Sequence, residues 1–110
     1  MAAMTKGQEQ QLLEQLLEEV KNYLDRTWDD DKEDEKLLGM LRRGMAVISE
    51  KVGECDFRGE TQEKLLLFQL IMYEVAGELS QFWINYKADI IGLQMDRKVE
   101  EYAKSKEQTI

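Results

Sequence analysis

The stretch LLLFQLIMYEVAGELSQFWI, Leu65 to Ile84, decides the fold. Fourteen of its 20 residues are apolar, and Glu74 and Glu78 carry its only charges. At about 100° per residue, Leu65, Leu66, Leu67, Phe68, Leu70, Ile71, Met72, Tyr73 and Val75 surround most of a helix. A helix apolar nearly all round is a buried one, so the pattern predicts a central core helix covered on several sides. A membrane span is the rival reading. Two glutamates and two glutamines interrupt a stretch barely of spanning length, and no apolar run exceeds four residues. Gly77 marks the place where the run bends or splits in two.

The 110 residues suit one domain with a single modest core. Apolar residues make up 43% and charged residues 35%, which places the chain among folded proteins. With 23 acids against 15 bases the net charge is −8, a poor match to a nucleic-acid binder, whose phosphate contacts need clustered Lys and Arg. The same charge suits a surface that must not stick to DNA, or one that meets a basic partner. There is no histidine, which excludes Ser-His-Asp triads, His general bases and most zinc sites. The lone Cys55 lies in the turn GECDFRG without a His partner, and reads as a partly exposed thiol rather than a nucleophile. MAAMTKGQEQQ has no apolar h-region, so cytoplasmic synthesis without a signal peptide is expected. Neither an enzyme nor a bound cofactor or metal is expected.

Residues 1–11 read as a flexible N-terminal extension, 12–98 as the helical domain and 99–110 as a polar C-terminal tail. From Gln8 the pattern turns helical, and Leu12, Leu13, Leu16, Leu17, Val20, Tyr23 and Leu24 share one face as far as about Asp25. Trp28 can dock on the core and fix the entry angle of the next helix. Six carboxylates follow, Asp29, Asp30, Asp31, Glu33, Asp34 and Glu35. A calcium loop counted from Asp29 puts Asp34 where glycine is needed, and neighbouring loop acids point apart rather than converging on a substrate. A helix start explains them better, with Asp30 or Asp31 as N-cap and acids facing the positive end of the dipole.

The second helix is predicted over Lys32–Val52, with Leu37, Leu38, Leu41, Met45, Ile48 and Val52 on its stripe. Gly39 and Gly44 suggest close helix packing, and Gly53 the stop. Phe57 anchors the connection, and Thr61 or Glu60 starts the third helix. Beyond Gly77 a fourth helical segment carries two stripes. Leu79, Phe82, Trp83, Tyr86, Ile90 and Leu93 make one; Ile84, Ala88, Ile91 and Met95 make another about 150° away. A small domain readily buries one side of a terminal helix, so the second stripe, with Arg97 and Lys98 beyond it, is the candidate contact with another chain, the alternative being burial of both stripes within the chain. The expected architecture is all-α: about four helices around a central apolar helix, with a polar tail.

The order of these features goes further. VKNYLDRTWDDD, the LLGMLRRGMA helix, the CDF turn and the Tyr86–Met95 segment, taken together and in this spacing, resemble the head–tail connector (head-completion, portal adaptor) proteins of tailed phages and prophages. The likeness covers about Leu17 to Val99, and Met1–Leu16 precedes it. It implies a non-enzymatic virion component that forms a dodecameric ring beneath the portal protein. Such a ring extends the DNA channel and docks tail or stopper proteins, and the resemblance is compatible with a free subunit that is monomeric. Ring subunits need two different patches, one per neighbour, and the second stripe offers one. An acidic channel wall or rim at Asp29–Glu35 would let DNA pass without binding. The alternative from a different class is an acidic helical inhibitor or antitoxin-like module that masks a basic partner site.

Overall fold

A computed structural model describes residues 5–25 and 30–108. Its five helices are α1 (Lys6–Tyr23), α2 (Asp31–Val52), α3 (Gln62–Val75), α4 (Leu79–Asn85) and α5 (Lys87–Gln108), and no strand occurs among the described residues. The all-α class expected from periodicity is the class observed.

Each helix begins and ends for a local reason. Thr5 caps α1: its hydroxyl accepts from the Gln8 N–H at 3.1 Å, and the Gln8 side chain accepts from the Thr5 N–H at 3.0 Å. This reciprocal box satisfies two otherwise orphaned donors, and it corrects the flexible extension expected over 1–11, since residues 6–11 are helical. Asp30 caps α2 through the Lys32 N–H at 2.9 Å, as the acid-rich start suggests. Thr61 caps α3 through the Lys64 N–H. Gly53 (φ 90°) and Gly77 (φ 74°) end α2 and separate α3 from α4 in conformations that a Cβ disfavours. The predicted split at Gly77 is therefore real. A second break, at Tyr86, divides the expected fourth segment into α4 and α5.

Two expectations about arrangement are corrected. The molecule measures 56 × 35 × 19 Å. With interaxial distances of about 8–10 Å, the thin dimension holds about two layers of helices, and α3 is covered on several sides but not all round. α3 buries Leu66, Leu67, Phe68, Leu70 and Ile71, yet leaves a stripe of Gln62, Leu65, Gln69 and Met72 wholly or partly open. α2 packs against α1, α3 and α5, while α3 packs against α2 and α4 and reaches α1 and α5 through the Lys64–Glu19 and Glu63–Arg97 ion pairs. The second correction concerns 99–110. Helix α5 continues through this polar segment to Gln108, with the side chains of 99–106 exposed.

The core joins Leu13, Leu16 and Val20 of α1, Leu41 and Ile48 of α2, and Leu67 and Ile71 of α3 with Phe82 of α4, all essentially inaccessible. Phe57 is buried beside them, as its role as anchor requires. Gly44 lets α2 and α3 approach: a Cβ there would lie 2.6 Å from Leu67 Cδ1. Gly39 does not serve that purpose, because a Cβ would meet only the Arg43 side chain of its own helix. The short α4 is held by aromatic packing, Phe82 lying 4.9 Å from both Trp83 and Tyr86 and 5.8 Å from Tyr73.

Candidate interaction surface

The inner stripe of α4 and α5 behaves as its spacing suggests. Phe82, Ile90 and Leu93 are buried, and Leu79, Trp83 and Tyr86 are half-buried against the core. The opposite side is uncovered. Ile84, Met95, Val99 and Tyr102 are between 62% and 67% exposed, Ile91 is 43% exposed, and Ala88 is exposed as well. Val99 and Tyr102 belong to this face although they lie in the polar C-terminal segment. Their i+4 and i+7 spacing from Met95 continues the stripe and was there to be counted.

On α5, at about 100° per residue, Ile91, Tyr102, Met95, Ala88 and Val99 fall within an arc of about 80°. Exposed Lys87 and Lys98 border this arc on one side. On the other, beyond Gly92, come exposed Asp96 and Asp89. Between that acidic edge and the open stripe of α3 runs a groove of about 470 Å³, lined by Leu65, Gln69, Ala88, Asp89, Gly92 and Asp96 among others. A Cβ added at Gly92 would meet nothing within 4 Å. Large apolar side chains thus stand on one flank of α5 and small ones floor a groove on the other.

Arg97 departs from its expected place in this surface. Its side chain turns inward, donating to Glu63 Oε2 at 2.8 Å and to the Glu54 carbonyl at 3.1 Å. Burial alone would lower its pKa, but the Glu63 carboxylate holds it above the ordinary arginine value. Glu63 also accepts from the Asp56 N–H, so one ion pair fastens α5 to α3 and to the loop between α2 and α3. Gln94 adds a bond to the Lys51 carbonyl at 2.9 Å. Lys98 remains on the open side, exposed.

The acidic cluster does not converge on one point. Asp30 is a cap, and Asp34 reaches Lys21 of α1 at 2.7 Å, while Glu33 pairs with Lys36. Asp31 and Glu35 are exposed, and Asp29, like Trp28, lies outside the described residues. Among the described residues no group of three His, Cys, Asp or Glu side chains is placed to hold a metal.

A cleft of about 710 Å³ between the Gly53–Arg58 loop and α5 holds Cys55, Glu63 and Arg97. Burial pushes the Cys55 thiol above its usual pKa, with Glu63 adding to the effect and Ser49 and Arg97 opposing it. The thiol is hydrogen-bonded to the Gly53 carbonyl and is kept in its protonated, weakly nucleophilic form. No helix among the described residues is long and apolar enough to cross a membrane. Comparison with family models, with curated proteins and with solved structures finds no match.

Proposed function

We propose that this chain is a head–tail connector subunit of a tailed phage or prophage, a structural part that assembles as a ring beneath the portal. The observation that carries the reading is the uncovered apolar face of α4 and α5, opposite a stripe that already satisfies the core. A face of this kind marks a protein contact. The order of VKNYLDRTWDDD, LLGMLRRGMA, CDF and the Tyr86–Met95 segment supplies the identity of the assembly. With a net charge of −8, a ring of such subunits would repel the DNA that passes through it.

The test is to mix the chain with the portal protein of the same phage or prophage and to image the product by electron microscopy. The expected outcome is a ring of this chain stacked on the portal. If the two stay separate, and the chain instead binds a single basic protein at low stoichiometry, the inhibitor reading replaces the connector.

A further inference from the structure

We infer that the groove between α3 and α5 is the socket for the apolar ridge of α5 from a second copy of this chain. The inference deepens the connector reading and rests on it for the closure of the ring; the contact itself is argued from one subunit. The ridge consists of Ile91, Met95 and Tyr102, all exposed. The socket has Leu65 and Gln69 on its α3 wall and Ala88 and Gly92 on its α5 wall. At about 470 Å³ it has room for several side chains of a partner helix.

Charge selects the occupant. Lys87 and Lys98 border the ridge, whereas Asp89 and Asp96 border the socket. A second copy that places its ridge in the socket brings its own lysines against those aspartates. Opposite potentials across a contact fix register and suppress wrong pairings. A ridge-to-ridge dimer would leave both aspartates unmatched and both sockets open. Because the ridge (Ile91, Met95, Tyr102) and the α5 wall of the socket (Ala88, Gly92) are different residues centred about 60° apart around α5, the contact is heterologous. Each copy keeps a free ridge and a free socket, so association continues until a ring closes or a filament grows.

Two variants separate the halves of the contact. Gly92→Arg fills the socket, and the open space around Gly92 means that the fold itself should tolerate the change. Met95→Glu spoils the ridge at a position already exposed. Circular dichroism and thermal melting establish first that both variants are folded. In sedimentation runs up to millimolar concentration, the unaltered chain is expected to grow past a dimer, and each variant alone to associate at least tenfold more weakly. Mixed together, the variants should form a 1:1 heterodimer that grows no further, since one intact ridge meets one intact socket. Self-association of Gly92→Arg equal to that of the unaltered chain overturns the inference in favour of a ridge-to-ridge dimer. An unaltered chain that stays monomeric throughout also overturns it. Imaging the same proteins with the portal is a separate readout: a portal-bound ring insensitive to both variants refutes the socket and leaves the connector reading standing.

Discussion

Gly44, Gly39 and Gly92 are all helical glycines, and their surroundings predict opposite effects for the same substitution. A methyl group at Gly44 would press on Leu67, a fully buried side chain without room to yield. Gly44→Ala should therefore lose about 1–3 kcal/mol in urea unfolding, as overpacked sites do. At Gly39 the obstacle is the far end of the Arg43 side chain, which is largely exposed and pairs with Glu74, and at Gly92 there is none. Alanine at either should gain up to about 1 kcal/mol from helix propensity. A second residue-scale effect belongs to Lys64, which is 3% exposed and sits 2.7 Å from Glu19 and 3.4 Å from Glu60. Burial alone would lower its pKa, but the two carboxylates hold it above the ordinary lysine value of 10.5. The folded state binds this proton more tightly than the unfolded chain does. Its stabilisation is complete below pH 10.5 and is lost as the pH rises through the folded value. Melting temperatures across that alkaline range should fall more steeply for the unaltered chain than for Lys64→Met. At neutral pH, Glu19→Ala should cost about 3 kcal/mol, because it removes the nearer partner of a buried ammonium.

At the scale of elements, α5 has two parts with different dependence on the rest of the fold. Up to Arg97 it is fastened by Ile90, Leu93 and the Glu63 ion pair; beyond it, the side chains of 99–106 are exposed. Arg97→Ala should cost about 3 kcal/mol, because Glu63 is left buried without its cation. Ending the chain after Lys98 should change stability by no more than about 0.5 kcal/mol, as for other surface changes. Amide hydrogen exchange should show the same division, with 99–108 fast in the free subunit and slowed on assembly. These boundaries also show what the sequence made legible. The caps at Asp30 and Thr61, the break at Gly77, the anchor at Phe57 and the inner stripe of α4 and α5 all follow from spacing and local backbone chemistry. The assignment of Arg97 to the open face did not, although Arg97 follows Ile90 and Leu93 at i+7 and i+4. Residue type points Arg97 outward, whereas its helical position places it on the buried face, where Glu63 compensates its charge. The helicity of 99–108 is not legible for a related reason: a polar segment reads as a tail, whereas here it extends an anchored helix. Enclosure of α3 could not be settled from its own apolar circumference, because that depends on how many helices the rest of the chain supplies.

At the scale of the whole molecule, thinness and exposure are one fact. A body 19 Å thick buries one side of each helix, and in the last two helices the other side is also apolar. Among the described residues no further element covers that side, and in the proposed assembly a neighbouring subunit would. If so, a charge placed there should separate folding from assembly. Ile84 and Ile91 lie on α4 and α5, outside the buried core. Ile84→Glu and Ile91→Glu should leave the melting temperature of the free subunit nearly unchanged, since neither replaces a core contact. In the portal mixture the same variants should abolish ring formation, because a carboxylate would have to be desolvated without a partner. Melting curves and electron micrographs of each variant check the two halves together. Unfolding of the free subunit would show that the stripe serves the core after all, and intact rings would show that the portal contact is made elsewhere. Loss of assembly with retained folding is the one combination that assigns this face to the ring.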